Sequence, residues 1–182
     1  MNFYQSIFEE LNFLLKQTDY DSLDKITESL VSANKKNKKI IIIGNGGSAA
    51  IASHFSVDLT KNAKIRCVNF NEADLLTCFS NDFGYDKVFS KSLEYFADKG
   101  DFVIIISSSG KSKNMINAAK ICAKKKIFFC TLTGFSKTNP LKKMGNINLW
   151  VKSKSYNLIE NIHQIWLLSI VDKIIGKTEY KT

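Results

Sequence analysis

Apolar residues recur at helical spacing over 1–17 (Phe3, Ile7, Leu11, Leu14, Leu15) and again over 21–34 (Leu23, Ile26, Leu30, Val31), which predicts two leading helices. The pattern then changes to short unbroken apolar runs. Residues 40–43, 65–70, 102–106, 127–132 and 147–151 read as strands buried on both faces. Between them helical periodicity returns at 48–62 (Ala49, Ala52, Phe55, Val57, Leu59), from Glu72, at 86–97 and at 114–125. A long, strongly apolar helix over 157–175 follows the last strand, and 80–85, Ser-Asn-Asp-Phe-Gly-Tyr, reads as a turn by composition. Strands alternating with helices, each strand almost continuously apolar, predict an α/β protein: one doubly wound parallel sheet of about five strands flanked by helices. There is no internal repeat, low-complexity tract or linker, and the single proline, Pro140, falls in a loop.

Composition narrows the class without changing it. A chain of 182 residues with 45% apolar and 24% charged residues is globular rather than disordered, and one domain spanning 1–182 is the economical reading. The first residues are amphipathic and carry Glu9 and Glu10, unlike the basic start of a secretory signal, and no apolar run approaches membrane-spanning length, so a cytoplasmic protein is expected. Cys67, Cys78, Cys122 and Cys130 lack paired spacing and read as core thiols rather than disulfides or a zinc cluster. The net charge of +9 comes from scattered lysines, which either solvate loops and helix ends or steer an anionic substrate. No aromatic platform of the kind single-stranded nucleic acids require lies among them, and neither nucleic acid nor membrane is expected as a partner.

The chemistry concentrates in two loops. Gly44-Asn45-Gly46-Gly47-Ser48-Ala49-Ala50 opens where the first strand ends, and Ser107-Ser108-Ser109-Gly110-Lys111-Ser112 opens where the third ends. In a doubly wound fold both lie beyond the carboxyl ends of strands, where ligands bind. Glycines let the backbone approach a ligand, the amides of the following helix turn point at it, and serine hydroxyls add donors, a combination suited to a phosphate. The glycine loop has neither the third glycine of a dinucleotide fingerprint nor the Gly-Lys-Ser/Thr ending of a Walker loop. Alone, it also fits a plain strand-to-helix turn, and Ser109 or Ser112 also fits an N-cap.

Taken together and in this order, the Gly44–Ala50 loop with His54 and Asp58 after it, the 80–85 segment, and Ile106 followed by the serine loop resemble the SIS (sugar isomerase) domain. Within that family the likeness is closest to the sedoheptulose 7-phosphate isomerases, or phosphoheptose isomerases, and it covers nearly the whole chain. The resemblance implies that Asn45, Gly46, Gly47 and Ser48 bind substrate, that Asn81 and Asp82 contact the sugar, and that Ser107, Ser108, Ser109 and Ser112 hold the phosphate. The family usually has Thr at Ser108 and Asn at Lys111; Lys111 either adds charge near a phosphate or faces solvent. A homotetramer with sites completed across subunits is implied as well. The apolar run from Ile162 to Val171 suits such packing, or an internal core helix equally.

An aldose–ketose isomerase must move a proton between C1 and C2. His54 and Asp58, four residues apart, share a helix face. The matching family residues are His and Glu, which with a Gln and a His on the last helix bind zinc in some members; the Glu and the terminal His are the proposed proton-transfer pair. Here the Glu is Asp58, the Gln is Glu160 and the terminal His is Leu168, while two family arginines are Asn62 and Leu158. The candidates are therefore Asp58, Glu160 and His163 for catalysis, Asp58 and Glu160 also for substrate contact, and His54, Asp58 and Glu160 for zinc. His163 serves either as a structural hydrogen-bonding group or as part of an altered acid/base set. The expected function is conversion of sedoheptulose 7-phosphate to a heptose 7-phosphate for a bacterial surface polysaccharide, lipopolysaccharide or capsule. A phosphosugar-binding regulatory or non-catalytic SIS protein is the alternative, and a scaffold that binds another protein is a third reading.

Overall fold

The computed structural model describes residues 2–179. Its elements are α1 (Phe3–Leu15), α2 (Tyr20–Lys35), β1 (Ile40–Ile43), α3 (Gly47–Lys61), β2 (Cys67–Val68), α4 (Ala73–Phe83), α5 (Val88–Phe96), β3 (Phe102–Ser107), α6 (Lys113–Lys124), β4 (Phe128–Thr133), β5 (Ile147–Trp150) and α7 (Tyr156–Ile175). The strands form a five-stranded parallel sheet in the order β2-β1-β3-β4-β5. Met1, which the periodicity assigns to the first helix, lies outside the described residues. No helix among the described residues is long and apolar enough to cross a membrane.

Strand alternation divides the core into two layers. Ile40, Ile42, Ile104, Ile106, Cys130 and Leu132 face a layer built with α2, α3 and α7, whereas Ile41, Ile43, Val103, Ile105 and Phe129 face α5 and α6. Every residue of β1 and β3 is buried, which is why these strands are continuous apolar runs. At their amino ends Lys39 joins β1 to β3, its ammonium 2.7 Å from Asp98 and 2.6 Å from Asp101. The chain leaves β1 toward β2 on one side and continues from β3 to β4 on the other. The loops after β1 and β3 thus diverge from neighbouring strands, and the crevice between them is the switch point of the sheet.

Three local expectations change. The strand expected over 65–70 shrinks to Cys67–Val68, because beyond it Asn69 and Asn71 tie the chain to α3: Asn69 Nδ2 donates to Ser56 Oγ and Asn71 Nδ2 to the Ala49 carbonyl. The turn expected over 80–85 is helical as far as Phe83. Phe79 and Phe83 stack edge-on across one turn and carry α4 through the polar residues, and Gly84, at φ 85°, ends it. Of the cysteines, Cys122 and Cys130 are core thiols, but Cys67 is half-buried and Cys78 is exposed on α4; all four are free.

Candidate active site

Two helix N-termini meet at the switch point, and neither is capped by its own side chain. Gly46 precedes α3 with φ 54° and ψ −123°, a conformation open to glycine alone, so the amides of the first turn of α3 are presented without a competing side-chain oxygen. Ser112 precedes α6, likewise with no side-chain cap bond. The loops enclose a cavity of about 300 Å³ lined by Asn45, Gly46, Gly47, Ser48, Ile106, Ser107, Ser108, Ser109, Ser112, Tyr156 and Glu160. A larger hollow of about 630 Å³ lies between α2 and the amino ends of β3 and β4, but it gathers no comparable set of free amides and hydroxyls.

Hydrogen bonds brace both loops from behind. Asn45 and Asn114 exchange side-chain bonds, Nδ2 to Oδ1 at 3.0 Å and back at 2.9 Å, and the Tyr85 hydroxyl donates to the same Asn45 Oδ1 at 2.9 Å. Asn45 is thus largely committed to holding the first loop. In the serine loop, Ser107 Oγ donates to Ser112 Oγ at 3.4 Å, and the Lys111 backbone N–H donates to Ser109 Oγ at 3.2 Å. Ser108 Oγ is buried and has no hydrogen-bond partner, a donor kept free at the cavity wall. Gly110 at φ 63° closes the loop against Asn139, and the Ser108 carbonyl accepts from the Gly134 N–H at 2.8 Å. The side chain of Lys111 is exposed, the solvent-facing alternative of the two expected for it.

Glu160 is the one acidic residue lining the cavity. Its carboxyl sits over Gly47 so closely that a Cβ there would lie 2.3 Å from Oε2, which explains the glycine. Burial raises its pKa above the ordinary carboxylate value, and Ser108 beside it, outside hydrogen-bond geometry, offsets part of the rise.

The other candidates separate from this group. His54 and Asp58 lie further along α3, with His54 Nε2 3.3 Å from Asp58 Oδ2 and His54 Nδ1 3.2 Å from Gln164 Nε2 on α7. They do not line the cavity with Glu160. Among the described residues no three His, Cys, Asp or Glu side chains converge as a metal site requires, so the zinc set His54, Asp58 and Glu160 does not fit the geometry. Asn81 and Asp82 are exposed near the end of α4, bonded to each other at 3.0 Å, outside the cavity of this chain. His163 turns away from the cavity into the core, fully buried, with Nε2 3.3 Å from the Thr133 carbonyl. Since a carbonyl only accepts, Nε2 carries the proton, and burial pushes the ring's pKa down to about 4. That is the structural member of its two readings.

Sequence reading missed Tyr156, Tyr85, Asn114 and Gln164. Three of them had a signal. Tyr156, Glu160, Gln164 and Leu168 form an i, i+4 ladder on α7, so choosing Glu160 singles out its neighbours, and Asn114 lies two residues beyond Ser112. Tyr85 closes the 80–85 motif, but nothing local shows that it reaches Asn45, because that contact crosses the fold.

Comparison with known proteins identifies the family. A family model described as SIS domain matches residues 2–134. The phosphoheptose isomerase of Aliarcobacter butzleri is 36% identical over 153 residues, covering 81% of this chain and 80% of that protein. The phosphoheptose isomerase of Buchnera aphidicola subsp. Acyrthosiphon pisum is 31% identical over 176 residues, covering 93% and 90%. Among solved structures, phosphoheptose isomerase from Neisseria gonorrhoeae superposes with a TM-score of 0.87 at 27% identity, covering 94% of this chain and 97% of that one.

Proposed function

Since the chain belongs to the SIS-domain family and, within it, to the phosphoheptose isomerases, we propose that it interconverts sedoheptulose 7-phosphate and a heptose 7-phosphate. The observation that carries this reading is the cavity between two uncapped helix N-termini, walled by serine hydroxyls. Such a pocket binds a phosphate through neutral donors and helix dipoles, without an arginine.

The geometry also supports a direction for the sugar. Glu160 lies beside Gly47 and Gln164 beside His54, so α3 and α7 run alongside each other away from the cavity. From Gly47 to His54, seven residues of helix advance roughly 10 Å at about 1.5 Å each. An extended seven-carbon sugar phosphate, advancing about 1.2 Å per bond along a zigzag, reaches about as far. With the phosphate in the serine loop, C1 and C2 fall at the seam where His54, Asp58 and Gln164 meet. In this reading Asp58 is the base that takes the proton from C1 of the ketose and returns it at C2, through an enediolate, while the hydroxyl proton passes from O1 to O2. Glu160 sits nearer the phosphate end and contacts substrate there.

The exposed aromatic residues Phe3, Tyr4, Phe8 and Phe13 on α1 support an oligomer, and a homotetramer is the form we propose, with Asn81 and Asp82 completing a neighbouring site. A cytoplasmic role in supplying heptose for a surface polysaccharide belongs to the same proposal. The test is to incubate the protein with sedoheptulose 7-phosphate and follow aldose formation. Turnover is expected; binding without turnover would instead favour a phosphosugar-binding regulator, the reading that Leu168 keeps open.

A further inference from the structure

Gln164 had no part in the expected site, yet it is the residue through which α7 reaches His54. The contact is made by its side-chain amide nitrogen, 3.2 Å from His54 Nδ1. An amide NH2 only donates, so Nδ1 must accept, and the proton of the neutral ring must sit on Nε2. Nε2 in turn lies 3.3 Å from Asp58 Oδ2. The three side chains therefore form a directional series: the Gln164 amide donates to His54, and the proton-bearing Nε2 faces Asp58 Oδ2 at ion-pair distance. Without Gln164 the ring would be free to place its proton on either nitrogen, and in the Nδ1–H form a nitrogen lone pair would face a carboxyl lone pair.

We propose that Gln164 is a positioning residue that sets the tautomer of His54, so that the His54 Nε2–H holds Asp58 Oδ2 and leaves Oδ1 turned to the substrate as the base. The proposal rests on the isomerase reading above and deepens it. It accounts for how a side chain one methylene shorter than the family's glutamate is held in place: Asp58 has fewer rotamers to lose, and the Nε2–H facing Oδ2 favours the one that remains. It also gives a role to a polar residue on a helix whose neighbouring positions, Ile162, His163, Trp166 and Leu167, are buried. Leu168, the next position on the same face, supplies no donor or acceptor, so the series ends at Gln164.

The chain contains two histidines, so the imidazole nitrogens can be assigned by 15N-detected correlation spectra, with the core-facing His163 as an internal Nε2–H reference. Wild type is expected to show His54 protonated at Nε2. Gln164→Met keeps the length and packing of the side chain but removes the donor, and should give a mixture of tautomers. Its kcat for sedoheptulose 7-phosphate should fall by about tenfold to a hundredfold, the scale of a misplaced reacting group, with KM changed by less than about twofold. Gln164→Glu, which presents only acceptors, should put a proton on Nδ1. A wild-type His54 protonated mainly at Nδ1, or a Gln164→Met protein with unchanged tautomer and kcat, would overturn the positioning role while leaving the isomerase reading intact. Absence of turnover in wild type would sink that reading and the catalytic half of this proposal with it.

Discussion

Replacing Glu160 by Gln separates charge from shape at the phosphate end of the cavity. The carboxyl lies over Gly47 and next to Ser108, and burial already raises its pKa. A doubly charged anion in the serine loop brings like charge close to it. At about 5 Å and an effective dielectric constant near 20, each pair of unit charges repels by about 3 kcal/mol. The cavity is open and Glu160 is partly exposed, so solvent and salt reduce the net cost to about 1–1.5 kcal/mol, or about tenfold in affinity. Wild type can escape the cost by protonating Glu160, and a raised pKa makes that easier. Anion binding to wild type should therefore be strong at low pH and weaken as pH rises through the Glu160 pKa, whereas Glu160→Gln should stay flat. Sulfate is a clean probe, being doubly charged throughout. Its inhibition constant, followed from the alkaline side down through the Glu160 titration, should favour the variant by about tenfold where Glu160 is ionised and converge where it is protonated. A variant that binds sulfate no better than wild type at about pH 8 would refute the placement of Glu160 beside the anion.

Ser107→Ala and Ser109→Ala should each raise KM for sedoheptulose 7-phosphate about tenfold, the loss of one charge-assisted hydrogen bond, with the circular dichroism spectrum unchanged. Gly110→Ala meets both a positive φ of 63° and the buried Asn139, whose Oδ1 would lie 1.9 Å from the new Cβ. It should cost about 2–4 kcal/mol and lower Tm by about 5–15 °C in calorimetry. His163 is held neutral in the fold, with a pKa near 4 against 6.5 for a free ring, so between these values the unfolded chain binds the extra proton. Stability from this residue is fully present above pH 6.5 and lost as pH falls through the window, by about 3 kcal/mol at most. Denaturant titrations of His163→Leu should show a flatter dependence on acid, and an equal slope in variant and wild type would count against the buried neutral ring.

Most of the architecture was legible because it follows from local pattern. Unbroken runs such as Ile40–Ile43 can be satisfied only by a strand covered on both faces, and the glycine and serine loops announce themselves by composition. Where reading failed, a nonlocal or context-dependent contact outweighed composition. Ser80, Asn81 and Asp82 favour a turn in isolation, yet the Phe79–Phe83 pair keeps them helical. The short β2 depends on asparagines reaching back to α3.

The chain by itself determined the doubly wound sheet, the glycine and serine loops and the family, since each is written in spacings of a few residues. It also offered Asp58, Glu160, His163 and His54 as candidate catalytic or metal-binding side chains. Only the tertiary structure decided how they divide: Glu160 with the serine loop, His54 and Asp58 with Gln164, and His163 in the core. The physical reason is the packing of α7 on α3. Residues more than 100 positions apart are set side by side by the rotation and axial offset of two helices, and a shift of one residue in either would pair different side chains.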